Sequence, residues 1–94
     1  MNPTHVRSTF FPNPDIILRE VDHALVLFDP HKDAVHTMNP TAQFVWEHIE
    51  IPPEMIVTAL QNTYSVSTEV AQNDVQHILE QFQTLGLIQT NPPQ

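Results

Sequence analysis

Residues 24–49, ALVLFDPHKDAVHTMNPTAQFVWEHI, decide the fold. The run Ala24–Asp29 is almost continuously apolar, which predicts a central strand covered on both faces. Pro30, His31, Lys32 and Asp33 follow as a turn, because proline suits an early turn position and polar residues suit an exposed tip. Ala34–Met38 is another short extended run. Asn39-Pro40 ends it and opens a helix. The asparagine side chain can accept from the free N–H groups of the first turn, and proline at the first helical position forfeits no hydrogen bond. Ala42, Val45, Trp46 and Ile49 then recur at i, i+3, i+4 and i+7, a single stripe for burial. Phe44 lies opposite that stripe, placed either to pack on the sheet or the tail or to meet a partner.

Upstream, Ile16–Val21 is apolar and β-branched, interrupted by Arg19 and Glu20. Asp22 and His23 make a tight link to the next strand, so three strands with short connections form an antiparallel meander. Residues 1–14 contain Pro3, Pro12 and Pro14 and read as a flexible tail, with Phe10 and Phe11 placed either to dock on the body, the favoured reading, or to meet a partner. Downstream, Pro52-Pro53 breaks the chain and reopens a helix whose face carries Ile56, Val57, Leu60 and Tyr64. Ser67 caps a third and longest helix running to about Leu85. Its stripe is Ala71, Val75, Ile78, Phe82 and Leu85, with Leu79 on the flank. Gly86, the only glycine in the chain, stands where a helix ends in a left-handed residue. Leu87 and Ile88 fold back on the last turn, and residues 91–94 are a second tail. The expected domain spans 15–90. Its class is α+β, winged-helix-like, with a three-stranded antiparallel sheet followed by a three-helix bundle.

Composition narrows the function. With 94 residues the chain supports one core. It has no cysteine, so neither disulfides nor thiolate metal sites contribute, and a cytoplasmic location is expected. No run has the length of a signal peptide or a membrane span. Three strong cations, Arg7, Arg19 and Lys32, face eleven carboxylates. Such a surface repels nucleic acid and anionic membranes, whose affinity comes largely from Lys and Arg.

Catalytic chemistry finds little support. There is no cysteine nucleophile, no Gly-rich phosphate loop and no G-x-S-x-G elbow. His31, Asp33 and His36 lie close in sequence, and His23 could join them across the strands, but their spacing matches no metal motif. Glu47, Glu50 and Glu54 read as solvated helix ends. The expectation is a non-enzymatic module with no cofactor and no metal. What remains is binding at a sheet edge, where unpaired N–H and C=O groups can accept an added strand. The strand at 34–38 has no proline and no Lys, Arg, Asp or Glu.

TMNPTAQFVWEHI, residues 37–49, resembles the LNPTAxxIWEL signature of PqqD-like proteins, also called RiPP recognition elements. Ile56, Leu60, Tyr64 and Val66 fall where that family has its second-helix apolar residues and following turn. DVQHILEQFQTLGLI, residues 74–88, resembles its closing pattern. The likeness covers about residues 16–88. It departs at His36, where the family often has an aromatic residue, at Met38, where leucine is usual, and at Ile51-Pro52-Pro53, which replaces a Gly-containing turn and Thr cap.

The resemblance implies a domain that performs no reaction. It would bind the leader of a ribosomally made precursor peptide as a strand beside its third strand, in a groove walled by the third helix. A partner, a radical SAM enzyme or a leader peptidase, would then act on the peptide. Carried over by position, the edge strand is Ala34, Val35, His36, Thr37 and Met38. Val75, Leu79 and Phe82 line the groove, and Asp74 can pair with a basic leader residue. Leu79, on the flank of the stripe, is the leading groove candidate among the helix residues. Two readings compete: a homodimer or scaffold built on the same edge, and a winged-helix nucleic-acid binder. In the second, the recognition helix would be 68–85, which contains no Lys or Arg.

Overall fold

The three expected strands and three helices form in the expected order, and a pair of strands at the chain's two ends joins them. A computed structural model of the chain describes residues 9–91. Strand β1 is Thr9–Pro12, β2 is Ile17–Val21, β3 is Ala24–Asp29 and β4 is Ala34–Thr37. Helices α1 (Pro40–Glu47), α2 (Pro53–Tyr64) and α3 (Thr68–Thr84) follow, and β5 (Ile88–Asn91) closes the order. The class is mixed α+β.

Strands β2, β3 and β4 form an antiparallel sheet in that spatial order. Asp22 and His23 both take left-handed backbone, φ 52° and 68°, so a two-residue turn joins β2 to β3 with a twist that matches the strands. At the β3–β4 turn the buried Asp29 carboxylate accepts from the His31 and Lys32 N–H groups. Ion-dipole bonds of this kind hold a four-residue turn without glycine. The expectation that β3 is covered on both faces does not hold. Leu25, Leu27 and Asp29 are buried, whereas Val26 and Phe28 are half-buried on a face with no helix against it. An apolar run is compatible with either arrangement, and here the helices occupy one side only.

The tail reading also changes. Thr9–Pro12 is a strand, paired antiparallel with Ile88–Asn91 in the register Thr9↔Asn91 to Pro12↔Ile88. Phe10, within it, packs against the core, while Leu87 and Ile88 are buried. The Asn13 side chain donates to the Gly86 carbonyl and its N–H donates to Leu87, which fastens this strand pair to the end of α3. Residues 1–8 and 92–94 of the two expected tails lie outside the described residues.

Caps set the helix ends where the sequence placed them. Asn39 Oδ1 accepts from the Ala42 N–H at 2.8 Å, and Ser67 Oγ accepts from Val70 at 3.2 Å. Gly86 has φ 75°. Its N–H bonds Gln83 and that of Leu87 bonds Phe82, the paired pattern of a Schellman terminus. The core joins Leu27 of the sheet to Val45, Ile56 and Leu87, all fully buried. Trp46 meets Phe82 edge-on, with ring centroids 5.6 Å apart. Phe44 packs rather than projects: it stacks on His48 at 4.2 Å and meets Tyr64 edge-on. Among the described residues no helix is long and apolar enough to cross a membrane.

Candidate functional site

Strand β4 is an edge of its sheet. The Met38 N–H donates to the Leu25 carbonyl at 3.0 Å, and the register pairs Thr37 with Val26, His36 with Leu27 and Val35 with Phe28. Hydrogen-bonded and non-hydrogen-bonded pairs alternate along an antiparallel ladder. His36 and Ala34 therefore bond to β3, and Val35 and Thr37 turn their N–H and C=O groups outward. The opposite edge, β2, carries Arg19 and Glu20, and charged side chains of this kind discourage strand addition. AVHT in β4 carries no such block.

A groove of about 320 Å³ runs beside β4. Val35, His36, Thr37 and Met38 form one wall, and Gln81, Phe82, Leu85 and Leu87 form the other. Asn39 and Ala42 sit at its end and, with Gln81, are shared with a further hollow of about 390 Å³ that continues past Ile78, His77 and Asp74. The two hollows give an extended channel along one side of α3. Main-chain donors and acceptors lie on one bank and mostly apolar side chains on the other. One atom in it is unusual: His36 Nε2 is buried and has no hydrogen-bond partner.

Of the expected edge residues, Val35, His36, Thr37 and Met38 line this groove together with Phe82, whereas Ala34 begins β4 outside its lining. Val75 and Leu79 do not line it either. Both line a separate hollow of about 520 Å³ between α2, α3 and Phe10 of β1. Each helical residue turns about 100° from the last, so Leu79 lies roughly 60° round α3 from Phe82 and about 120° from Leu85, toward α2. Val75 lies within about 20° of the Phe82 direction but two turns nearer the start of the helix, where α2 and Phe10 rather than β4 lie beside it. Sequence reasoning missed Asn39, Ala42, Gln81, Leu85 and Leu87 as groove residues. The spacing Ile78, Phe82, Leu85 carried a signal for this side, but it reads equally well as core. Asp74 lines the continuation of the channel. The 520 Å³ hollow is larger, yet helices form most of its walls, so it offers few main-chain groups to an extended ligand.

The histidines take separate places. His31 Nε2 lies 3.0 Å from Asp15 Oδ2 at the exposed turn, and His48 Nδ1 donates to the Phe44 carbonyl at 2.8 Å. Among the described residues no three His, Cys, Asp or Glu side chains gather as a metal site would require. The arrangement suits main-chain pairing with an extended peptide and side-chain selection in the groove.

The family model described as Coenzyme PQQ synthesis protein D (PqqD) matches residues 24–88. This chain belongs to the PqqD family. The matched span begins at β3 and takes in β4, all three helices and the first residue of β5, so it contains the whole of the groove. Two solved structures share this PqqD-family fold. One is TbiB1 in complex with the TbiA(beta) leader peptide, 20% identical, with a TM-score of 0.76, covering 83% of this chain and 93% of that one. The other is lasso peptide synthetase B1 complexed with the leader peptide, 21% identical, with a TM-score of 0.77, covering 88% of this chain and 98% of that one. Comparison with curated proteins returned no significant match.

Proposed function

We propose that this chain binds the leader segment of a ribosomally synthesised precursor peptide as an added strand on β4 and presents it to a separate enzyme. The observation that carries this reading is the outward main chain of Val35 and Thr37 beside the β4–α3 groove. An extended peptide there gains affinity from ladder hydrogen bonds and specificity from every second side chain. The fold shared with two proteins described as leader-peptide complexes supports the same reading. In it the chain performs no reaction and acts in the cytoplasm. Its partner is a radical SAM enzyme or a leader peptidase. A formal net charge of −8 favours a leader with basic residues, since opposite charge speeds encounter.

The test uses a synthetic leader from a precursor gene neighbouring this one, titrated against the full chain by calorimetry. Proline at Val35 or Thr37 deletes an outward N–H without breaking a bond to β3, and edge strands tolerate proline at such positions. Micromolar or tighter binding is expected for the wild type, and its loss in both variants. Wild-type affinity in both variants would defeat strand addition.

A second reading has one observation in its favour. Ile17, Val21 and Val35 are exposed on the sheet face turned away from the helices, a surface a second copy could cover. Sedimentation across concentrations separates the two: a tight dimer that leader peptide leaves intact favours self-association.

A further inference from the structure

His36 stands in the middle of β4, its side chain on the same side of the sheet as Leu27, its fully buried register partner. The ring borders the groove among Met38, Ala42, Phe82, Leu85 and Leu87. Its Nε2 is buried and makes no hydrogen bond. The amide of Gln81 lines the same groove, yet no bond joins the two. A buried nitrogen without a partner costs stability, and native folds rarely keep one. An aromatic or aliphatic side chain would occupy this apolar setting with no such cost. The nitrogen therefore contributes nothing to the free fold, and its position in the groove offers it to a ligand.

Building on the strand-addition reading, we infer that His36 sets leader specificity by hydrogen-bonding, through Nε2, an uncharged hydroxyl or carboxamide side chain of the bound peptide. A strand added to β4 sends alternate side chains to the helix side of the sheet. The one beside His36 enters the groove. Hydroxyls and carboxamides both donate and accept, so they satisfy Nε2 whether or not it carries a hydrogen. A charged side chain would have to shed its water against Met38, Phe82 and Leu87, which is far more costly. Gln81 and Leu85 are exposed at the rim, where they can move aside to admit it.

The experiment pans a phage-displayed library of random 16-residue peptides in parallel against the full-length wild type, His36→Phe and Val35→Pro. His36→Leu serves as a second variant with less bulk, and urea unfolding checks each protein. Wild type is expected to enrich Ser, Thr, Tyr, Asn or Gln at one fixed peptide position, and the His36 variants an apolar residue there. Replacing that peptide residue by its apolar isostere is expected to weaken wild-type binding about tenfold and leave the variants little changed. Because the lost nitrogen had no partner, His36→Leu or His36→Phe is expected to match or exceed the wild-type urea midpoint. The same residue at that position for wild type and both His36 variants, with Val35→Pro capturing nothing, overturns the role of His36 and leaves strand addition standing. Capture of the same peptides by Val35→Pro, or of none by wild type, overturns strand addition and this inference with it.

Discussion

The Lys32 ammonium donates to the Leu85 carbonyl at 3.0 Å, joining the turn that precedes β4 to the residue that caps the C-terminus of α3. These are the two walls of the groove, so one bond across 53 residues of sequence helps set its width. It also neutralises part of the negative end of the helix dipole.

Lys32→Met keeps the aliphatic stem and removes the charge. The site is exposed, so the expected loss of stability is small, about 0.5–1 kcal/mol by urea titration. Leader affinity is expected to fall a few-fold, because the wall at Leu85 loses its tie. A loss of several kcal/mol, or no change in either measurement, would contradict this role.

Gly86 holds the same junction from the other side. With φ at 75° it takes a conformation that side chains disfavour, and a Cβ there would come within 3.2 Å of Lys32 Nζ. The lysine end is flexible and can give, so the penalty comes chiefly from the backbone. Gly86→Ala is expected to lose about 1–2 kcal/mol in urea unfolding, and Gly86→Asn less, since asparagine tolerates the left-handed region better.

Leu79 and Leu85 separate folding from binding. Leu79 is buried on the α2 side of α3, and Leu85 is 37% exposed at the groove. Leu79→Ala is expected to cost about 2–4 kcal/mol of stability with little effect on leader affinity in the folded fraction. Leu85→Ala is expected to cost under about 1 kcal/mol of stability and to weaken leader binding measurably. The reverse pattern, found by paired urea and calorimetric titrations, would return Leu79 to the binding wall.

Local chemistry explains what the sequence revealed. The Asp22-His23 link, the Asn39-Pro40 cap, the Ser67 cap and Gly86 each act within a few residues, so each was readable along the chain. The β1–β5 pair was not. Thr9–Pro12 meets Ile88–Asn91 from the far end of the chain, and no local pattern records a partner so distant. The prolines around residues 12 and 14 disguised a strand that merely ends at Pro12. The open edge at Val35 and Thr37 was legible because β4 lacks blocking charges and follows a meander. The side of α3 that faces it was not. Both flanks of that helix are apolar, and only the docking of α2 against Val75 and Leu79 decides which remains for the groove. The orphan nitrogen of His36 is a property of packing alone.

Amide hydrogen exchange at Val35 and Thr37, followed by NMR before and after leader is added, tests strand addition most directly. Both N–H groups point away from β3, so both should exchange quickly in the free chain. With leader at about 100 times its dissociation constant, exchange at both should slow about a hundredfold, as the fraction left unbound falls, while the amides of β2 keep their rates. Fast exchange at Val35 and Thr37 in a chain saturated with leader would show that the peptide binds elsewhere.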